Sequence, residues 1–133
     1  MRLRLPALLA ALLALPASAA AEAALTIELN ALEPQENACR MIFVAENAAG
    51  ADLDALVLEA VLFDRGGRVA ALTLLDFREL PAGRLRVRSF DIAGIDCAAI
   101  ERVLINDIAR CEGAVDCAAA LEMRSRLEIE LLQ

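Results

Sequence analysis

The 133-residue chain has 13 basic residues, all of them arginine, against 20 acidic ones, and it contains no His, Trp or Tyr. With Lys also absent, catalytic relays built on histidine, Schiff-base lysines, tyrosine acids and histidine metal sites are excluded. The net charge of −7 argues against nucleic acid as a partner, because binding to phosphates requires clusters of positive charge. We expect a protein that is not an enzyme and that uses no cofactor.

The N-terminus has the layout of a secretory signal peptide. Arg2 and Arg4 precede an uncharged apolar run at 6–15, and the small residues at 17–21 offer cleavage sites. The run is about half as long as a membrane-spanning helix. Cleavage that removes residues 1–21 leaves one domain, 22–133, with 11 arginines against 20 acids and a net charge of −9. We expect a periplasmic protein with no stable membrane span after cleavage.

Four cysteines, Cys39, Cys97, Cys111 and Cys117, lie in the mature chain. An even number in an exported protein predicts two structural disulfides, for which three pairings are possible. Most thiolate zinc sites and redox sites contain a C-x-x-C pair, and the sequence has none. The cysteines by themselves leave the pairing open.

Alternation of apolar and polar residues predicts a first strand over 25–30. After a polar turn, a second strand over 40–45 is apolar on both faces. Residues 53–64 form a long apolar run, in which the segment 57–63 is rich enough in β-branched and aromatic side chains to favour a third strand, although a helix over 52–59 stays open. All three elements are short, which is typical of an all-β domain.

Residues 64–68 contain Gly66 and Gly67 between two apolar runs, and this predicts a tight hairpin because glycine accepts positive φ. A fourth strand over 69–75 follows. The fifth strand, 85–92, is predicted to bury Leu85 and Val87, with a change of phase, hence a β-bulge, at Ser89.

The C-terminal third predicts two further strands, at 103–108 and 126–131, and short helical turns at 98–100 and 118–123. The last strand alternates most regularly, which is typical of a strand with one buried face. Asn106 and Asp107 interrupt the apolar strand at 103–108, either as buried polar anchors or as bulge residues.

About seven strands with short turns predict an all-β fold, an immunoglobulin-like antiparallel β-sandwich. The second and sixth strands of such a sandwich lie in opposite sheets and run in the same direction, so Cys39 and Cys97 fall at one end. The topology therefore favours a Cys39–Cys97 disulfide between the sheets. Cys111 and Cys117 would then close the loop before the last strand.

A stripe of arginines, Arg84, Arg86 and Arg88, is the candidate partner contact, since guanidinium groups bind carboxylates and phosphates. The structural alternative is that these arginines pair with acids on a neighbouring strand, such as Glu28 or Glu130, or protect an exposed sheet edge. We favour the structural alternative.

Two carboxylate groupings are weaker candidates. Asp52 and Asp54, with Asn47 nearby, supply oxygen ligands for calcium but lack the glycine and distal glutamate of an EF-hand loop. Asp76 with Glu79 could serve as a hydrolytic pair, although any chain with 20 acids contains such pairs. We assign no metal and no catalytic residue.

Three segments carry a resemblance to a known group of proteins: LTIELNALEPQENACRMIFVAEN, the hairpin VLFDRGGRV, and RVRSFDIAGIDCAAIERVLINDIARC. They resemble an uncharacterised family of small exported alphaproteobacterial proteins of the Rhodobacter type, often labelled Tat-pathway signal-sequence domain proteins. The resemblance implies an exported domain without an assigned catalytic residue. Arg2 and Arg4 are separated by Leu3 and form no twin-arginine pair, so the general secretory route is expected.

These observations predict a non-catalytic binding or interaction module whose partner is another envelope protein. An envelope assembly accessory or inhibitor is the first alternative, and an exposed apolar strand edge or patch would favour it. A carboxylate- or metal-dependent hydrolase is the second, and converging carboxylates without an arginine partner would favour it.

Overall fold

The computed structural model describes residues 24–133, and the predicted signal peptide lies outside this range. In this part of the chain eight strands form two four-stranded sheets. The strands are β1 (Leu25–Gln35), β2 (Ala38–Asn47), β3 (Leu53–Phe63), β4 (Val69–Leu80), β5 (Leu85–Ala93), β6 (Arg102–Gly113), β7 (Leu121–Ser125) and β8 (Glu130–Leu132). The predicted all-β sandwich is confirmed, and its layout is compatible with an immunoglobulin-like fold.

Sheet A has the strand order β5-β2-β1-β7, and sheet B has the order β4-β3-β6-β8. The long strands pair in antiparallel fashion, whereas β7 beside β1 and β8 beside β6 are parallel. β5 and β4 therefore form the edges on one side of the sandwich, and β7 and β8 form the edges on the other. In the region 52–59, for which a helix was left open, β3 begins at Leu53 and no helix forms.

The core lies between the two sheets and is built from alternate residues of each strand. Leu25, Ile27 and Leu29 of β1 are fully buried, as the alternation at 25–30 predicts. Phe43, Phe77 and Phe90 pack edge to face, with ring centroids 5.2 to 5.9 Å apart. Three of the four phenylalanines thus form one cluster that joins β2, β4 and β5.

The β3–β4 hairpin forms where the glycine pair predicts it. The backbone N–H of Asp64 donates to the carbonyl oxygen of Arg68 at 2.9 Å, and Gly67 has φ +75°. The carboxylate of Asp64 accepts hydrogen bonds from the backbone N–H groups of Gly66 and Arg68. The turn is therefore fixed by one aspartate and one residue with positive φ.

The predicted orientation of β5 is wrong. Leu85 and Val87 are 61 % and 62 % exposed, whereas Arg88 is only 8 % exposed and Ile92 is buried. The pairing of β2 with β5 runs without a register shift, so there is no bulge at Ser89. A continuous strand places Arg86 and Arg88 on the inner side, because Phe90 and Ile92, which share a face with them in period two, face the core.

The C-terminal region differs from the single predicted strand over 126–131. The chain forms α1 (Cys117–Ala120), then β7 in sheet A, and then β8 in sheet B. Leu131 is buried and its neighbours Glu130 and Leu132 are exposed, as the alternation predicts, but the strand begins only at Glu130. β7 overlaps the end of the segment 118–123 that was predicted to be helical, because the alanines before Leu121 favour a helix and the strand depends on tertiary pairing with β1.

Both disulfides have the predicted pairing. Cys39 of β2 is bonded to Cys97 in the short 3₁₀ turn Cys97–Ala99, so this bond ties sheet A to the connection that leads into β6 of sheet B. Cys111 of β6 is bonded to Cys117 at the start of α1. Two disulfides indicate a protein that folds outside the cytoplasm. Within residues 24–133, no helix has the length and apolar character needed to cross a bilayer.

Candidate interaction surface

Arg88 lies between the edges of the two sheets. Its Nε donates to the carbonyl oxygen of Phe77 at 2.7 Å, and its Nη2 donates to the carbonyl oxygen of Glu79 at 2.9 Å. The carboxylate of Glu79 is 3.9 Å away and 63 % exposed, so the backbone carbonyls are the stronger partners. Burial lowers the pKa of Arg88. The guanidinium therefore closes the β4–β5 edge of the sandwich and is not free to bind a partner.

The other two arginines of the stripe lie nearer the solvent. Arg84 is exposed before β5 begins, and the side chain of Arg86 is half-buried and donates to the carbonyl oxygen of Leu85 at 3.0 Å. Glu28 and Glu130, the acids considered as their partners, lie elsewhere. Glu28 pairs with Arg126 at 3.2 Å, and Glu130 lies opposite Arg102 in the β6–β8 pair.

Asn47, considered as a calcium ligand, is buried, and its side-chain amide holds the loop after β2 by hydrogen bonds. Its Nδ2 donates to the carbonyl oxygens of Ala51 and Leu80 at 2.9 and 2.7 Å, and its Oδ1 accepts the backbone N–H of Ala49. The carboxylate of Asp52 accepts the backbone N–H of Ala82 at 2.9 Å. The polar side-chain atoms of Asn47 and Asp52 are therefore engaged in hydrogen bonds to the backbone of the neighbouring loops.

The other carboxylates are spread over the surface. Asp76 accepts the backbone N–H of Arg78 at 2.8 Å, and Arg78 has φ 58° in an irregular part of β4. Asn106 donates to Glu59 at 2.7 Å and lies where the β3–β6 register shifts, so it is a bulge residue and not a buried anchor. Among residues 24–133, no three His, Cys, Asp or Glu side chains are close enough to hold a metal ion.

A depression of about 400 Å³ lies at the end of the sandwich that carries the Cys39–Cys97 bond. It is open and lies between Pro34–Ala38 and Gly94–Asp96. Asp96 is the ionisable residue in its lining, and its carboxylate accepts the backbone N–H of Ala98 at 3.0 Å. The depression therefore presents a single carboxylate that already has a partner.

The outer face of sheet B carries an apolar row that crosses all four strands. Leu72 of β4 lies opposite Val61 of β3, Val61 lies opposite Leu104 of β6, and Leu104 lies opposite Leu132 of β8. Leu72 is 61 % exposed and Leu132 39 %, whereas Leu104 is half-buried and Val61 is only 6 % exposed. Leu74 adds a further exposed side chain beside the row. We call these five residues the sheet B row.

Large exposed apolar side chains also occur on β5 in sheet A, but there charged residues lie on the same outer face. There, Val87 lies opposite Val44, and the next strand along carries Glu28. A bidentate ion pair crosses the same sheet between Arg40 and Asp91, with Nε and Nη2 donating at 2.7 and 3.0 Å. The apolar side chains of sheet B therefore form the longer uninterrupted row.

The sequence does not reveal this row, because Val69–Leu75 has apolar residues on both faces of the strand and so does not show which face is exposed. A signal is present nevertheless: a strand without charge on either face is a buried strand or an edge strand that exposes apolar side chains. Only the sheet order decides between the two.

Comparisons with known proteins give a structural match only. No family model matches the chain, and no curated protein matches it. A solved structure described as the structural characterization of IrmA from Escherichia coli is similar in fold, with a TM-score of 0.57 and 10 % identity, over 74 % of this chain and 89 % of that one. At this identity the likeness supports the fold alone, and this chain is an all-β sandwich of the same general shape.

Proposed function

We propose that this chain is an exported periplasmic protein, cleaved from its signal peptide, that acts as a non-catalytic interaction module for another envelope protein. The sheet B row carries the proposal, because large exposed apolar side chains grouped on one face of a small domain mark a binding surface. The signal-like N-terminus, the two disulfides and the resemblance to small exported proteins support the compartment.

The geometry of the row suits a protein partner. Four apolar side chains lie in register across the outer face of four strands, with exposed leucines at both ends of the row and the buried Val61 between them. Arg102 and Glu130 lie two residues from Leu104 and Leu132, so charged side chains border the row. An apolar centre with a polar rim is the usual composition of a protein interface.

The partner surface is tested by a photoreactive benzophenone side chain placed at Leu104 in cells that export the protein. Val44 is the matched control, since it is also half-buried on the outer face of a central strand, but in sheet A. We expect Leu104 to crosslink to one exported protein, identified by mass spectrometry, and the crosslink to disappear when Leu132→Glu is added. Equal labelling from both positions, or no adduct with another protein, contradicts the proposal.

Export is tested separately by intact-mass measurement of the protein recovered from the periplasm. We expect a chain that begins at Glu22 and is four hydrogens lighter than its reduced form. Free thiols or an uncleaved N-terminus in the cell fraction contradict the assignment of the compartment.

An envelope assembly accessory or inhibitor is the second candidate, and the free apolar edge at β4 favours it. Such a protein would hold the exposed apolar surface of an unfolded envelope protein. We expect it to suppress light scattering by an aggregating outer-membrane protein, and Leu132→Glu to weaken the suppression. Unchanged aggregation would argue against this function.

A further inference from the structure

Beside the sheet B row, the same outer face carries a second line of side chains that includes a cation. Arg102 of β6 lies opposite Phe63 of β3, and Phe63 lies opposite Val69 of β4. Phe63 is two residues from Val61, and Arg102 is two residues from Leu104, so both lines of side chains face outward. The apolar surface therefore continues beyond the row and meets one guanidinium group.

A β-bulge in β4 extends this surface. Between Leu62 and Phe63 the β3–β4 register shifts and leaves Ala70 as an extra residue in β4. The bulge lets Val69 and Leu72, which are three residues apart, lie on the same face of the sheet. They are 58 % and 61 % exposed. The bulge thus adds one more exposed apolar side chain on the side of the β3–β4 hairpin.

The guanidinium group of Arg102 lies against the ring of Phe63. Its Cζ is 5.4 Å from the ring centroid, and its Nη2 is 3.9 Å from the position that a Cβ at Gly67 would occupy. Both contacts are on the β3–β4 side of β6, whereas Glu130, the acid opposite Arg102, is on the β8 side. The side chain of Arg102 therefore extends away from Glu130.

Arg102 has no anionic partner among residues 24–133. No carboxylate oxygen there lies within 4.0 Å of its nitrogens, whereas Arg40 and Arg110 each bind a carboxylate through Nε and Nη2. A guanidinium group stacked on a ring keeps its N–H groups available, because they point outward in the plane of the group. Arg102 is therefore positioned to donate two parallel hydrogen bonds to a carboxylate of another molecule.

The β3–β4 hairpin adds positive charge beside Arg102. Arg65 and Arg68 are exposed and likewise have no carboxylate within 4.0 Å in the described part of the chain. The carboxylate of Asp64 in the same turn accepts the backbone N–H groups of Gly66 and Arg68. Although the chain is acidic overall, charges more than about 8 Å apart are largely screened at physiological ionic strength. The local arginines therefore attract an acidic group to this side of the face.

The apolar row and the cation together set the composition of a segment that fits both. Arg102 and Leu104 are two residues apart on one strand, so their side chains are about 6.6 Å apart along it. The covering segment needs a carboxylate at a similar distance from an apolar side chain. Residues two apart in an extended segment, or three or four apart in a helix, meet this requirement. A small anion would bind Arg102 but leave the leucines exposed to water.

We propose that the partner covers this face with an acidic amphipathic segment, whose apolar side chains contact the sheet B row and whose aspartate or glutamate binds Arg102. The inference rests on the proposed function and deepens it, because it states the chemistry of the partner's binding segment. Since Arg102 lies to one side of the row, the ion pair also fixes which part of the segment lies beside the β3–β4 hairpin.

Charge reversal tests the ion pair, with the benzophenone at Leu104 as the probe. Arg102→Glu should lower the yield of the protein adduct by about tenfold, because a carboxylate then faces the partner's carboxylate. Arg102→Lys should keep part of the yield, since it keeps the charge but loses the planar fork. A yield unchanged by Arg102→Glu overturns this inference alone, because the adduct that supports the proposed function still forms.

Arg84→Glu is the matched control, since it changes the net charge equally. Arg84 is also exposed without a carboxylate within 4.0 Å among residues 24–133, but it lies in the β4–β5 turn, at the other end of β4 from the hairpin. We expect this variant to keep the full yield. An equal loss from Arg84→Glu and Arg102→Glu would reflect net charge and overturns the inference.

The reciprocal change identifies the partner's acid. Mass spectrometry of the digested adduct locates the contacted segment, which should carry an aspartate or glutamate within about four residues of the crosslink. Replacing that acid with arginine should lower the yield with the unmodified chain and restore it with Arg102→Glu. A contacted segment without such an acid, or a reversed pair that is not restored, overturns the inference.

Melting temperatures verify that Arg102→Glu folds, since Arg102 packs on Phe63. If it does not fold, Arg102→Gln, which removes only the charge, takes its place and should also lower the yield. If Leu104 gives no protein adduct, or an adduct with a phospholipid instead, the proposed function and this inference both fail. These results are distinct from an adduct that is insensitive to Arg102, which overturns the inference alone.

Discussion

Arg88 of β5 donates from Nε to the carbonyl oxygen of Phe77 in β4, across the gap between the two sheets, over 2.7 Å. The same guanidinium reaches the carbonyl oxygen of Glu79 with Nη2. Arg88 alternates with exposed apolar residues in the sequence, yet its side chain is buried and joins the edge strands β4 and β5 by hydrogen bonds.

We predict that Arg88→Ala lowers the free energy of unfolding by about 2–3 kcal/mol, because two carbonyl groups lose their donors in a largely buried site. Arg88→Lys should lose most of the same stability, since one ammonium group does not reproduce the planar fork. Urea denaturation at neutral pH measures both. Arg86→Ala, on the same strand, is the control and should cost less than about 0.5 kcal/mol. Similar losses at the two positions would show that Arg88 is not a specific tie.

Asn47 is 1 % exposed and uses both ends of its amide. Asn47→Ala should cost about 2–3 kcal/mol, because two carbonyls and one N–H lose their partners. Asn47→Asp should be worse at neutral pH, since it places a carboxylate against the carbonyl oxygens of Ala51 and Leu80. Urea denaturation of both variants tests the order. Asn30→Ala, which removes one hydrogen bond to Glu28, is the milder control. An aspartate variant as stable as the alanine variant would contradict the role of Asn47 as a donor to these two carbonyl oxygens.

The two disulfides should differ in their contribution to stability. Cys39 and Cys97 are 58 residues apart, and Cys111 and Cys117 are 6 apart. The loop-entropy model gives about 4 kcal/mol for the long loop and about 2.4 kcal/mol for the short one. Guanidinium denaturation of the Cys39→Ala/Cys97→Ala and Cys111→Ala/Cys117→Ala variants measures the difference. A larger loss on removing the short loop's disulfide would mean that contacts around α1 outweigh chain entropy.

Surface ion pairs should make stability fall in acid. Hydrogen bonds from Arg40 lower the pKa of Asp91, and those from Arg110 lower the pKa of Glu112. Because these carboxyls bind protons more weakly in the folded chain, their contribution is present above the unfolded pKa of about 4 and is lost as pH falls through the folded value. The melting temperature should therefore drop below about pH 4.

Asp91→Asn should make that drop shallower, and thermal unfolding followed between neutral and acid pH measures it. Glu36→Gln, in the β1–β2 turn, serves as the control. An Asp91→Asn profile parallel to that of the unmodified protein would show that the Arg40–Asp91 pair does not contribute to the acid response.

Local chemistry made much of the fold predictable. Leu25, Ile27 and Leu29 predict a half-buried strand because a period of two places them on one face. Gly66 and Gly67 mark the hairpin through the backbone conformations that glycine allows. The Cys39–Cys97 pairing follows once the strand order is assumed, since the sandwich places the starts of the second and sixth strands at the same end.

The sequence by itself therefore determined most of the strands and turns, because these depend on neighbouring residues, whereas the disulfide pairing also required an assumed strand order. Tertiary structure decided which face of β5 is inside, because a period of two shows that Arg86 and Arg88 share a face but not what that face meets. It also split the C-terminus into β7 and β8, since each strand exists only through pairing with β1 or β6. The free edge at β4 and the sheet B row depend in the same way on sheet order.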